Sequence, residues 1–156
     1  MAHTRLPLLQ LTGAGPTLSG NGLAAMLAIS DLDQIAQARL VDAQALAAAG
    51  RFDGALYLCG YAVEIALKAR ICKTLNWAAF PETSGEFQSL TSFKTHDLGI
   101  LLKLSGLDTQ VRTNHFAEWS VVEGWRPESR YKQIGTGRAT DATDMINATI
   151  TLLSVL

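Results

Sequence analysis

Residues Gly50 to Leu75 read GRFDGALYLCGYAVEIALKARICKTL. The stretch has the spacing of a helix that is apolar almost all the way round, yet Glu64 and Lys68 stand in its middle. At about 100° per residue, Tyr57, Tyr61, Glu64 and Lys68 fall on one stripe, at i, i+4, i+7 and i+11. The opposite side carries Cys59, Ala62, Ala66 and Ala69, small residues that let another helix approach closely. A helix apolar on every side belongs at the centre of a fold. A charged pair on such a helix is costly unless it is matched, so a partner within the fold or a ligand must meet it.

The remaining sequence supplies neighbours for this helix. Ser30 is a candidate N-cap, with Asp33 three residues on, for a first helix from about Asp31 to Ala49 that stops at Gly50. Its buried side is expected from Leu32, Ile35, Ala36, Ala38, Val41, Ala45 and Leu46. Asp53 is the expected cap of the second helix, which should end near Trp77. Residues 78–93 hold Pro81, Gly85 and several Ser and Thr, a loop long enough to border a site. Thr95 and Asp97 open a short third helix that stops at Gly106. Asp108 is expected to cap a fourth, running to about Glu123, which would bury Val111, Phe116, Trp119 and Val122 and expose Arg112 and Glu118. Residues 124–137 are irregular. Thr140 is the expected cap of the last helix, where Ala142, Met145, Ile146, Thr149, Leu152, Leu153 and Leu156 keep helical spacing. The expectation is an all-α fold, an up-and-down bundle of about five helices over residues 22–156, preceded by a loosely ordered arm at 1–21. Within the arm, residues 6–12 suit a short extended piece. GAGPTLSG at 13–20 has a phosphate-loop flavour but lacks the Gly-Lys-Ser/Thr ending and reads as a flexible loop.

Bulk properties narrow the function. At 156 residues, with 48% hydrophobic and 17% charged residues, the chain suits one compact domain rather than a disordered segment. A net charge of −1 argues against broad nucleic-acid binding, which needs a cationic surface, while leaving room for a local basic site. The two cysteines, Cys59 and Cys72, would lie about 20 Å apart along one helix at 1.5 Å per residue, which excludes a disulfide between them. No Cys/His cluster has zinc spacing, and neither a metal nor an organic cofactor is expected. No apolar run reaches the length of a membrane span and no secretory signal is evident, so a reduced, cytoplasmic protein is expected.

Three segments carry a resemblance. The Gly50–Asp53 GRFD start with the AVEIALKA core at 62–69, the THDLGILL run at 95–102, and Ser129-Arg130-Tyr131 ahead of a final apolar helix resemble, in that order, landmarks of HEPN domains. The resemblance spans about residues 32–156. It implies a small helical bundle. Many HEPN domains are ribonucleases with an Arg, four to six residues, then a His late in the domain. Here Arg126, Arg130 and Arg138 have no His after them, and Arg112 and His115 are separated by only two residues. The chain is therefore similar to the non-ribonuclease branch, whose members accompany nucleotidyltransferases or bind nucleotides.

The resemblance implies a non-catalytic domain that binds a nucleotide, or the substrate of a partner nucleotidyltransferase. The ligand residues would be Tyr61, Glu64, Lys68, Arg130 and Tyr131, with Lys68 and Arg130 on phosphate, Glu64 orienting Arg130, and Tyr131 offering a stacking face. Lys94 and His96, at a helix start, are a candidate anion contact. The structural alternative is that Glu64 merely pairs Lys68 and Arg130 and holds the 124–137 loop to the bundle. The competing functions are an interaction module or toxin–antitoxin component without a ligand, and a degenerate ribonuclease acting on RNA. All three predict a homodimer, because the last helix stays apolar to its end. Tyr57, Tyr61, Trp119 and Trp125 are expected as core and rim aromatics, and His115 as a surface or half-buried residue.

Overall fold

The computed structural model describes residues 28–81 and 84–156. The expectations for residues 1–21 lie outside this range. Six α-helices are described: α1 (Ile29–Ala48), α2 (Phe52–Leu75), α3 (Leu98–Leu104), α4 (Asp108–Asn114), α5 (Phe116–Val122) and α6 (Ala139–Val155). Three short 3₁₀ turns join them, at Glu86–Ser89, Thr91–Phe93 and Pro127–Tyr131. The described residues contain no strand, only one isolated bridge between Ala28 and Ala79. The chain is an all-α helical bundle.

The expected central helix is central. α2 packs against α1, α3, α6 and the Pro127–Tyr131 turn, and twelve of its residues are buried, among them Cys59, Ala62, Ala66 and Ala69. Small side chains on that face let its neighbours come close, and both thiols are free and buried. Burial pushes the Cys59 thiol up to about 11, so it is an inert core group rather than a nucleophile. Gly50 turns the chain from α1 into α2 with φ +71°, a left-handed conformation that costs glycine little, and α1 and α2 pack as a hairpin. Gly60 makes room for Trp125. A Cβ built on it would sit 2.1 Å from Trp125 Cγ, so the indole fills the space where a side chain would stand.

Several local expectations are corrected. α1 begins at Ile29 with Ala28 at the cap position and no side-chain cap, so Ser30 does not serve. Its buried stripe is Leu32, Ala36, Leu40 and Ala43, whereas Val41, Ala38 and Ala45 face outward. An Ala-rich helix offers two nearly equivalent faces, and contact with α2 selects one. The expected fourth helix is two helices, broken at His115, where φ is −134°. The break turns Phe116 outward, 65% exposed, while Trp119 and Val122 stay in the core as expected. Arg112 is half-buried, not exposed. It donates to Asp108 at 2.9 Å and to Glu123 at 2.7 Å, fastening α4 to the end of α5, and this holds the Glu123 carboxyl below its ordinary range. α6 is capped by Asp141, which accepts from the backbone and guanidinium of Arg138, rather than by Thr140. Its core face holds Ala142, Met145, Thr149 and Leu152 as expected, together with Ala148, while Ile146, Leu153 and Leu156 are only half-buried.

Candidate functional site

The α2 stripe forms one wall of a cleft of about 370 Å³. Tyr61, Glu64 and Lys68 reach it from successive turns of the helix. The opposite wall comes from the long 78–93 loop, which contributes Phe80, Pro81, Phe87 and Phe93. Phe80 and Phe87 meet edge to face at 6.0 Å, and Phe93 packs on Trp77 at 5.0 Å, so the aromatic wall is built from mutual contacts. Lys94, Thr95 and His96 close one side. Their segment is fixed by the start of α3, where Asp97 accepts from Ile100 N–H at 3.0 Å and Thr95 Oγ1 accepts from Asp97 N–H at 3.1 Å.

Glu64 is the hub. It is 1% exposed, and its Oε1 accepts from Lys68 Nζ at 2.5 Å and lies 2.8 Å from His96 Nδ1. An ionised carboxylate is only an acceptor, so Nδ1 carries the hydrogen in this contact and Nε2 remains available. The His96 ring is 60% exposed, so its outer nitrogen is open to a ligand. Lys68 also lies 5.4 Å from the centre of the Phe80 ring, so its ammonium is shared between the carboxylate and the aromatic wall. The cleft thus holds a lysine and an imidazole on one buried carboxylate, with Lys94 elsewhere on its lining, against apolar and aromatic side chains. That suits an anionic group attached to a flat or apolar body.

The expected residues divide into two groups. Tyr61, Glu64, Lys68, Lys94 and His96 come together here. Arg130 and Tyr131 do not. They belong to the Pro127–Tyr131 turn, which packs near the start of α2. Arg130 interacts there first with the Tyr131 hydroxyl and then with that of Tyr57, which hold its guanidinium above the ordinary range, and it lies 4.8 Å from the Tyr131 ring centre. Tyr57 precedes Glu64 by about 10 Å along the helix axis, so Arg130 meets a different end of the stripe. The expected pairing of Glu64 with Arg130 is therefore replaced by Glu64 with Lys68 and His96. Nor does Glu64 hold the 124–137 loop. Asp53 does so, accepting from Gly135 N–H and Gly137 N–H, each at 2.6 Å, and from the Thr136 hydroxyl at 3.2 Å. Asp53 lies in the first turn of α2, but its carboxylate faces this loop instead of capping the helix. These donors hold its pKa below the ordinary value.

Sequence reasoning missed the aromatic wall. Phe80, Phe87 and Phe93 stand in a stretch otherwise rich in Ser, Thr and Gly, and aromatic density in a polar loop was the available signal. Tyr57 and Tyr61 stack at 6.2 Å with an interplanar angle of 9°. Tyr57 is half-buried and Tyr61 partly exposed, and the pair separates the cleft from the region of Arg130. Trp119 and Trp125 are buried and His115 is half-buried, as expected. Among the described residues no three His, Cys, Asp or Glu side chains are gathered to hold a metal ion, and no helix is long and apolar enough to cross a membrane. The fold and cleft define a helical bundle with an aromatic, cation-bearing pocket. No family model, curated protein or solved structure matches the chain.

Proposed function

We propose that the chain is a non-catalytic, HEPN-like domain whose Glu64 cleft binds a nucleotide. Phosphate would meet Lys68, Lys94 and His96 Nε2, and the base would lie against Tyr61 and the phenylalanines of the 78–93 loop. The observation that carries this reading is the buried Glu64 carboxylate, which holds a lysine and a histidine on the wall of an aromatic cleft. A buried carboxylate with two donors on one oxygen is a fixed positioning device, and fixed donors bind an anion with little ordering cost. Arg130 and Tyr131, given to this ligand from sequence, are withdrawn from it. The nucleotide would be free in solution or presented by a partner nucleotidyltransferase, in a cytoplasmic setting that suits two free, buried thiols.

Calorimetric titration of ATP and GTP, with inorganic triphosphate as the charge control, tests the reading. Saturable binding that is tighter for the nucleotides, and lost in Lys68→Met, is expected. No heat from any of the three contradicts it.

A second reading, an interaction module or toxin–antitoxin component working as a homodimer, is favoured by the apolar side chains left outward on the described surface, such as Phe116, Tyr131 and Ile134. A degenerate ribonuclease would have to work without the Arg-x4-6-His spacing, which the sequence lacks.

A further inference from the structure

The charge at the hub of the cleft depends on a single proton. The charges of Glu64 and Lys68 cancel, and the His96 ring on the same carboxylate oxygen is either neutral or positive. In the neutral ring Nδ1 carries the hydrogen given to Glu64, so Nε2 is a bare lone pair and repels an anion. Only the doubly protonated ring donates to Glu64 from Nδ1 and to a phosphate from Nε2 at once. We propose that nucleotide binding in this cleft takes up a proton at His96, so that the site fills as the pH falls and empties as it rises. The proposal rests on the nucleotide reading and adds a regulator to it.

The groups that face the imidazole are few. α2 brings Tyr61, Glu64 and Lys68 to the cleft, and Lys94 stands on the same segment as His96. α1 contributes Leu32 and Ile35, and the described part of the 78–93 loop contributes phenylalanines and a proline, none of which titrates. Asp97, next to His96 in the chain, is matched by the Arg126 guanidinium at 3.1 Å. With the ring neutral, Lys94 is thus the one unmatched charge on the described lining, and it is exposed to water and salt. Protonation adds a second positive charge, on the hub itself.

The hub is built to hold that charge. Glu64 Oε2 is buried without a hydrogen-bond partner, so Lys68 and His96 carry the whole compensation of the carboxylate through Oε1. A charge set against a buried carboxylate is felt more strongly than one in open water. The ring joins this buried anion on one nitrogen to the open cleft on the other, and its 60% exposure leaves the outer nitrogen within reach of a phosphate. An imidazolium between two anions is favoured by both, so phosphate and proton strengthen each other's binding.

Calorimetric titration of ATP into the full chain at pH 6, 7 and 8 tests the proposal, with His96→Gln in parallel. Glutamine can still donate to Glu64 but takes up no proton. Phosphate monoesters lose their second proton near pH 6, so ATP gains negative charge over this range, and a site of fixed positive charge would bind it more tightly at pH 8. Expected is the reverse, with binding about tenfold weaker at pH 8 than at pH 6 through loss of one charge-assisted hydrogen bond. At pH 7, heats in two buffers of unlike ionisation enthalpy should show net proton uptake. His96→Gln should show no uptake and bind no more weakly at pH 8 than at pH 6. Wild-type binding that is equal or tighter at pH 8 overturns the proposal and leaves the nucleotide reading standing, and so does a weakening with pH that His96→Gln shares. No binding at any pH overturns that reading and this inference with it. Imidazole nitrogen shifts of the wild-type chain keep the test open if circular dichroism finds the variant unfolded. ATP at pH 7 should bring His96 to the doubly protonated pattern while His115 keeps its own, and a His96 ring that ATP leaves unchanged overturns the proposal.

Discussion

Helix α2 uses two carboxylates to fasten two distant segments, and it does so in opposite ways. Glu64, in the middle of the helix, is buried and ties down His96, 32 residues away. Asp53, at the helix start, holds backbone N–H groups 82 and 84 residues away, in an open setting. Both contacts are short. Their energetic roles differ because a buried charge that loses its partners has no water to replace them, whereas an exposed one does. The cleft is thus built into the stability of the bundle. The loop of residues 124–137 rests on a latch that can open while the bundle stands.

The largest expected effect follows from the buried side. Glu64→Ala should lower stability by about 3 kcal/mol in urea unfolding, because Lys68 and His96 lose their shared acceptor. A loss under about 1 kcal/mol would put Glu64 in the same class as Asp53 and remove the distinction. Next is Gly60→Ala. The added methyl would press on Trp125 and should cost about 2 kcal/mol, as overpacked cores do, despite the better helix propensity of alanine. Trp125 does not line the cleft, so nucleotide binding should be unchanged in this variant. Weakened binding would mean that the two regions are mechanically coupled.

The Asp53 latch gives a pH test with a definite sign. Its folded pKa lies below the ordinary value of 3.8, chiefly because of the backbone N–H groups of Gly135 and Gly137. The latch therefore contributes fully above that ordinary value and is lost as the pH falls through the lowered folded value. Amide protection at Gly135 and Gly137, followed by hydrogen exchange with allowance for the intrinsic rate, should vanish in that acid range before the helices lose theirs. Asp53→Asn should bring loss of protection into the neutral range. Simultaneous loss in loop and helices would show that the loop belongs to the cooperative core. The smallest effect is expected at Ile134→Ser, with stability in urea unfolding unchanged within about 0.5 kcal/mol.

Much of the cleft was legible because it depends on helix periodicity. Tyr61, Glu64 and Lys68 share a stripe whatever surrounds the helix, and the stop at Gly50 follows from a local backbone preference. Asp97 as a cap was equally local. Arg130 was misassigned because periodicity says which side chains share a face but not how far along that face an incoming loop will land. The Asp53 latch was hidden for a related reason, since its partners are backbone groups of residues far along the chain. A first-turn Asp looks like a helix signal before those partners are known. The break at His115 escaped notice because no Pro or Gly marks it. The exposed Phe116 is its consequence, which the apolar spacing of a continuous helix would have buried.

The most direct test of the account follows backbone amide chemical shifts as ATP is titrated into the full chain. The account predicts saturable shifts at Tyr61, Lys68, Lys94 and His96 and in the 78–93 loop, with residues 126–134 left in place. Shifts centred on Arg130 and Tyr131, or none anywhere at saturating ATP, would contradict it.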